Sequence, residues 1–179
     1  FLTQRECPTL GQVKPRISGD ALHLEAPRTQ TLSVRLQRSG ARRDVVVWKS
    51  HCLAIDQGDE VAEWFSSYLD RRVRLVRAAD DFHRALDSHY APRPSDTTAF
   101  ADGYPILIIS EESLADLNTR LESPLPMNRF RPNIVVRGAS AYAEDAWRTF
   151  TIGGLSFEGV KLCARCPVTT TDQETAQRG

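Results

Sequence analysis

The amino-acid sequence predicts a mixed α+β fold, rich in β structure and built in two parts. Three observations carry that prediction. Ala21-Leu22-His23-Leu24-Glu25-Ala26 and Thr31-Leu32-Ser33-Val34-Arg35-Leu36 alternate apolar and polar residues, the period of half-buried strands. Val45-Val46-Val47-Trp48, Pro105-Ile106-Leu107-Ile108-Ile109 and Asn133-Ile134-Val135-Val136-Arg137 are continuous apolar runs, suited to more deeply buried strands. Helical spacing of apolar residues occurs in only two stretches, and both are short.

Length and composition set the outer limits. The 179 residues correspond to one large or two small domains. A chain 41% hydrophobic and 26% charged can form a core and is not a disordered tail. Lys plus Arg equals Asp plus Glu at 23 each. That balance offers no nucleic-acid-binding surface and no acidic tail. No apolar run approaches the ~20 residues of a membrane span, and no signal segment opens the chain. Four cysteines in a chain this long do not resemble a secreted disulfide framework, so a reducing compartment is expected. The chain begins at Phe1 and ends at Gly179, and it reads as an excerpt of a longer protein. The expected location is the bacterial cytoplasm, with an organelle left open because a start is missing.

Taken in order, residues 1 to 16 read as a strand end and loop. In the first alternating strand His23 falls on the polar face, as an exposed histidine rather than a ligand. Ser39-Gly40 punctuates before the Val45–Trp48 run, and Lys49-Ser50-His51 should turn the chain into Cys52-Leu53-Ala54-Ile55-Asp56. Between Asp56 and Arg71 the period changes. Val61, Ala62, Trp64, Phe65, Tyr68 and Leu69 recur at helical spacing, and Asp56 to Glu60 supply an acidic first turn. Val73 to Arg77 is the next expected strand, its arginines a solvated face. Residues 78 to 103 lack periodicity and carry Pro92, Pro94, His83 and His89. They read as a long loop or linker at a domain boundary, with solvated histidines. After the Pro105–Ile109 run, Ser110 suits a helix N-cap, and Leu114, Leu117 and Leu121 stripe one face of a short helix. Arg129 and Arg131 lie in a proline-bearing loop over 122–132. Around Gly153-Gly154 the runs 149–152 and 155–162 read as a β-hairpin. Its second strand delivers Cys163 and Cys166 to its end.

The stretch Lys161 to Asp172 concentrates the chemistry. Two cysteines flank Ala164-Arg165, followed by Pro167, Thr169, Thr170, Thr171 and Asp172. A cation beside a cysteine favours the thiolate, its reactive and metal-binding form. Soft thiolates suit transition metals better than magnesium or calcium. The pair could thus hold a metal, attack a substrate or simply pack. A closed zinc site needs four ligands, and neither Cys7, Cys52 nor a histidine stands at matching spacing. A thioredoxin-like dithiol expects a helix after the pair, where Pro167 and three threonines stand instead. Burial as a small apolar side chain fits Cys163 better than Cys166.

Several motifs now occur together in order. Asp102-Gly103-Tyr104-Pro105, Ser110 to Leu117 and Phe130-Arg131-Pro132-Asn133-Ile134-Val135-Val136 resemble the MOSC domain. So do Tyr142-Ala143-Glu144-Asp145 with Trp147, Ile152-Gly153, and Cys163-Ala164-Arg165-Cys166 ahead of Thr169-Thr170-Thr171-Asp172. The resemblance is to the branch holding the bacterial YcbX proteins and the mitochondrial amidoxime-reducing component. It implies a MOSC-type β-barrel with short helices over 98–179. Before it, residues 1–97 are similar to the β-rich MOSC N-terminal domain, with a linker over 78–97. Gly103-Tyr104 departs from the small hydroxyl residues of some members. The family's opening Pro-Val-Lys-Ser-like strand has no counterpart before Phe1, nor its closing strands after Gly179. The excerpt is therefore expected to carry an incomplete cofactor site.

The resemblance implies a molybdenum cofactor (Mo-molybdopterin) enzyme that reduces N-hydroxylated compounds such as amidoximes, hydroxylamines and N-hydroxylated bases. It places Cys166 as the protein thiolate on the metal and the catalytic centre, and Cys163 as a neighbour that does not ligate. Asp102, Gly103, Tyr104, Arg131, Asn133 and Arg165 carry over as cofactor-binding positions, with Thr169 to Asp172 behind them. A planar arginine fork suits the cofactor's phosphate, and an asparagine suits a heterocycle edge. Without a nucleotide fingerprint, the chain is expected to take electrons from a flavin or iron–sulfur/haem reductase. Pyridoxal phosphate binding and detoxification are further properties that the resemblance associates with such domains. The rival readings are a sulfur-carrying or cofactor-handling domain without turnover, and a non-catalytic interaction module.

Overall fold

The computed structural model describes residues 1–179. It shows a β-rich, mixed α+β chain with two α-helices and four small sheets. The chain divides into two compact units, Phe1–Arg84 together with Thr170–Gly179, and Ala85–Thr169. No helix is long and apolar enough to cross a membrane.

In the first unit, β1 (Lys14–Ser18), β2 (Ala21–Glu25) and β3 (Leu32–Arg35) form an antiparallel sheet in sequence order. The alternation read from β2 is realised. Leu22 and Leu24 are buried, while His23 lies between them on the other face, opposite Arg16 and Ser33. Helix α1 (Asp59–Leu69) brings Val61 against those leucines, and Trp64 and Phe65 pack around the same core. Burying a side chain of this size contributes about 1.5–3 kcal/mol, so this cluster anchors the unit. The helix starts three residues later than the acidic run suggests. Asp56 is not helical: its Oδ1 accepts from the Gly58 amide at 2.8 Å, and Gly58 at φ 101° precedes the first turn.

A second antiparallel sheet holds β4 (Arg42–Val47), β5 (Ser50–Asp56) and β6 (Val76–Ala78). Three expectations change here. The run Val45–Trp48 is not a buried strand: only Val47 is buried, Val46 and Trp48 are exposed, and β4 is an edge. The turn falls at Trp48-Lys49, with Trp48 at φ 57°, so that Val47 pairs with Ser50. In the third case, the strand expected over Val73–Arg77 is shifted, and Arg74, although exposed, is held in ion pairs. Its guanidinium donates to Asp56 at 2.6 and 2.9 Å and to Asp59 at 2.7 Å, and Arg43 also bonds Asp56.

Residues 170–179 fold back onto this unit's beginning. Gln4 donates to Gln173, Gln12 to the Glu174 carbonyl at 2.7 Å, and Arg178 to the Arg5 carbonyl.

The second unit opens with a long irregular stretch, as its proline-rich composition predicts, pinned by one bridge between Ala85 and Thr97. β7 (Ile108–Ser110) then pairs in parallel with β8 (Ile134–Val136). β7 is shorter than the apolar run, and Ile106 stays exposed. Between the two strands lies α2 (Glu111–Asn118), capped as expected by Ser110, whose hydroxyl accepts from the Ser113 amide at 3.0 Å. α2 stops before Leu121.

β9 (Thr149–Ile152) and β10 (Leu155–Glu158) form the expected hairpin. Gly153 and Gly154 both adopt positive φ, 55° and 82°, as a two-residue turn matched to strand twist requires. In register, Phe150 stacks on Phe157 at 5.6 Å. β10 ends at Glu158 rather than running to Leu162, so Cys163 and Cys166 lie on irregular chain beyond the strand. Gly159 marks the change. Its amide donates to the Arg148 carbonyl at 2.8 Å, and a Cβ there would overlap the Trp147 carbonyl oxygen. Gly159→Ala is expected to destabilise by about 1–3 kcal/mol, the usual cost of overpacking. An unchanged urea midpoint would contradict it.

Candidate functional site

The site is built in the second unit from β7, the loop before β8 and the chain following β10. Ser110 ends β7, and around it a polar knot organises α2. Glu144, from a short 3-10 turn over Ala143–Ala146, accepts from the Ser110 amide at 2.9 Å and from the Ser113 hydroxyl at 2.7 Å. The Ser110 hydroxyl lies 3.0 Å from its other oxygen, and the Tyr142 amide donates to Ser113 at 2.7 Å. Burial raises the Glu144 carboxyl, but bonds from Ser113 and Ser110 outweigh it and hold the group below its ordinary value. Glu144→Ala would leave the Ser110 amide without its side-chain acceptor while the Ser110 hydroxyl keeps Ser113, at about 1–3 kcal/mol. Glu144→Gln keeps one acceptor oxygen and should recover part of that loss. Equal urea midpoints for alanine and glutamine would rule this account out.

Beside the knot lies a cleft of about 490 Å³, walled by Ile106, Leu114, Phe130, Trp147, Phe150 and Phe157. Cys163 and Arg165 reach its lining; Cys166 does not. The two cysteines differ in exposure. Cys163 is exposed, its thiol 3.7 Å from the Ala164 carbonyl, whereas Cys166 is half-buried. The Cys166 carbonyl accepts from both the amide and the hydroxyl of Thr169, each at 3.1 Å. That turn fixes the backbone while leaving the thiol uncommitted. No three histidine, cysteine or acidic side chains converge anywhere as a metal cluster.

The structure brings some of the sequence-derived positions together. The Arg165 guanidinium sits 5.5 Å from the centroid of the Phe130 ring, a cation–π contact. It therefore stands against the Phe130-Arg131-Pro132-Asn133 motif. Arg131 adopts φ 53° and closes the preceding 3-10 turn, which sets the direction of the chain into β8. Asn133 has a structural task as well, its side-chain oxygen accepting from the Leu107 amide at 2.9 Å. Asp102 and Gly103 are exposed. Tyr104 is partly buried, its hydroxyl enclosed and without a hydrogen-bond partner. The Tyr104 ring meets Tyr90 edge-on at 6.4 Å, and Lys161 lies 4.4 Å above the Tyr90 ring.

The Thr169–Asp172 segment is divided. Thr169 serves Cys166, while Thr171 is fully buried in the first unit. Asp172 there accepts from the amides of Glu174 and Thr175 at 2.9 Å each. Tyr90, Lys161 and the acceptor role of Glu144 are visible only in three dimensions. Tyr90 belongs to no motif, Lys161 was legible only as the first residue of the cysteine-bearing stretch, and Glu144 only as part of Tyr142-Ala143-Glu144-Asp145.

A half-buried thiol outside any protein ligand cluster fits a metal that brings its remaining donors in its own cofactor. It does not fit a closed protein-only zinc site, which needs four protein donors.

Comparison with known proteins identifies the family. Residues 95–179 match the family model of the MOSC domain, and residues 1–72 match the MOSC N-terminal beta barrel domain. The mitochondrial amidoxime reducing component 2 of Bos taurus is 38% identical over 98% of this chain and 54% of its own length. The mitochondrial amidoxime-reducing component 1 of Homo sapiens is 37% identical over 98% of this chain and 53% of its own. The component 2 of Rattus norvegicus is 38% identical, over 98% and 54%. The chain thus spans about half the length of the curated relatives it matches. A solution structure from Bordetella bronchiseptica aligns with a TM-score of 0.38 at 24% identity, over 42% of this chain and 61% of that one. Both family matches and the ordered motifs lead to one conclusion: the chain belongs to the MOSC family, with a MOSC N-terminal beta barrel domain ahead of a MOSC domain.

Proposed function

We propose that this chain is part of a molybdenum-cofactor-dependent oxidoreductase that reduces N-hydroxylated compounds, with electrons from a partner reductase. One observation carries the reading. Cys166 presents a half-buried thiol on a fixed turn, next to an arginine that packs on the Phe-Arg-Pro-Asn motif, with no other protein ligand cluster near it. The amidoxime-reducing names of the relatives point to the same chemistry.

In this reading Cys166 supplies the protein thiolate. Arg165 and Arg131 neutralise the anionic periphery of the cofactor, and Asp102 to Tyr104 with Asn133 line its approach. When bound, the cofactor supplies the two-electron chemistry of N–O bond reduction. The chain's own part is to hold, orient and charge-balance. The stacking on Phe130 holds the Arg165 guanidinium in place beside this segment. The electron donor belongs to the flavin or iron–sulfur/haem reductases, and the substrates are small N-hydroxylated molecules. No observed side chain or relative's name points to pyridoxal phosphate binding, and it is not proposed; the names of the relatives place those proteins in mitochondria.

The test is molybdenum and pterin content of the full-length protein, with Cys166→Ser beside it. Metal and pterin in the wild type, with metal lost in the variant, support the reading. Neither group in the wild type overturns it in favour of sulfur handling or plain binding.

A further inference from the structure

Cys163 and Cys166 are both free thiols separated by Ala164-Arg165, yet the structure holds them differently. Cys166 is half-buried and leads into the 3-10 turn over Pro167–Thr170, its carbonyl accepting from the Thr169 amide and hydroxyl. Cys163 is exposed on irregular chain. From Val160 to Arg165 no backbone amide donates a hydrogen bond. The one carbonyl engaged there is that of Ala164, which the Cys163 thiol approaches at 3.7 Å. Side chains hold this stretch instead, Lys161 at 4.4 Å from the centroid of the Tyr90 ring and Arg165 at 5.5 Å from that of Phe130. Both act through long flexible arms, which leave the backbone between them free to bend.

A fixed thiol and an unpinned one this close in the chain can be joined. A disulfide needs Cα atoms about 4.4–6.8 Å apart. Three peptide units span at most about 10 Å, so a bend at Ala164-Arg165 closes the pair, and no backbone hydrogen bond resists it. Closure needs only this spacing, not the helix that a thioredoxin-like exchange site requires. The other two cysteines belong to the first unit, where Cys52 is buried and the Cys7 thiol lies 3.1 Å from the Thr9 hydroxyl. We propose that Cys163 and Cys166 form a reversible disulfide that withdraws Cys166 from metal binding in the cofactor-free protein. The oxidant is a hydroperoxide. The exposed Cys163 sulfur takes one peroxide oxygen and becomes a sulfenic acid, while the remainder of the peroxide leaves as water or an alcohol. The Cys166 sulfur then attacks the Cys163 sulfur. The S–S bond forms, the S–O bond breaks, and the oxygen departs as water with the Cys166 proton. The two thiols lose two electrons and the peroxide gains them; a dithiol reductant reverses the step. The consequence for the site rests on the proposed function. A disulfide sulfur is not the thiolate that a metal takes, and Cys166, once ligated, is not available to attack.

The test uses the full-length protein, with and without cofactor, treated with hydrogen peroxide and then alkylated. Trypsin cuts after Lys161 and Arg165 and so separates the two cysteines unless they are joined. Cofactor-free wild type is expected to lose the mass of two hydrogens and to yield the 162–165 peptide linked to the peptide that begins at Cys166. Dithiothreitol should restore both thiols. Cys163→Ser and Cys166→Ser should form no such link, and Cys166→Ser should accumulate a sulfenic acid at Cys163 that dimedone traps. In molybdenum-loaded protein the link should form about tenfold more slowly, because exchange requires access to the attacking sulfur. The circular dichroism spectrum should survive oxidation, since no backbone hydrogen bond is lost; a collapsed spectrum would assign the link to unfolded chain and overturn the inference. Absence of the linked peptide from cofactor-free wild type, or linkage to Cys7 or Cys52 in its place, also overturns it. Equal rates with and without molybdenum reject the coupling to metal binding. If the wild type holds neither pterin nor metal, the proposed function fails instead, and the linked peptide alone decides the disulfide.

Discussion

Cys166→Ser is expected to reduce molybdenum from roughly one per chain to less than about a tenth of that, with the fold intact. The physical reasons are separable. Serine is nearly the same size, but its hydroxyl does not ionise near neutral pH and is a hard donor where a soft one is needed. No group of three or more histidine, cysteine or acidic side chains converges elsewhere to hold the metal instead. The local fold does not depend on the sulfur. The bonds that shape the turn run to the Cys166 carbonyl from Thr169, and serine keeps that carbonyl. Circular dichroism and the urea midpoint should therefore match wild type while metal analysis does not. Cys163→Ser is the control, expected to keep its molybdenum, since Cys163 is exposed and lies on chain without regular structure. Full metal content in Cys166→Ser, or equal loss in both variants, would remove Cys166 from its assigned role.

Asp56→Asn is expected to produce the largest loss of stability, about 2–3 kcal/mol at neutral pH. The Asp56 side chain is only 5% exposed and receives Arg74, Arg43 and the Gly58 amide. Breaking a buried charged pair costs about 3–5 kcal/mol; here both arginines are partly exposed, so the cost is smaller. The Arg74 hydrogen bonds are the main cause that holds this carboxyl well below the usual range, against the opposing effect of burial. A carboxyl whose folded pKa is depressed stabilises the fold above its unfolded value, near 4, and loses that contribution as pH falls toward the folded value. The gap between wild type and Asp56→Asn should thus be full at pH 7 and shrink as the pH is lowered below about 4. Urea unfolding at pH 7 and pH 3 checks this. A gap of equal size at both would show that shape, rather than charge, is what Asp56 contributes.

Features set by neighbouring residues were legible from the sequence. The alternation of β2 was readable because Leu22 and Leu24 face one core. The Gly153-Gly154 turn was readable because only that chemistry suits two positive φ values in a two-residue loop. The Ser110 cap was readable for the same local reason. Composition could not show which strands lie at edges. Val45 to Trp48 has the residues of a buried strand, yet it forms the border of its sheet and turns at Trp48. Nor could the pattern show that β10 stops at Glu158, which follows from the close approach of Gly159 to the Trp147 carbonyl.

The candidate site divides along the same line. The sequence by itself determined the family through the order of its motifs, and that resemblance gave Cys166 as the expected thiolate. Those depend on residue type and short spacing, which survive without coordinates. Only the tertiary structure decided that Arg165 lies on Phe130, that Glu144 satisfies Ser110 and Ser113, and that Tyr104 and Lys161 flank Tyr90. These contacts join residues 14 to 71 positions apart in the chain. They are chosen by the burial of rings and the need to pair enclosed polar groups, neither of which leaves a periodic mark on the sequence.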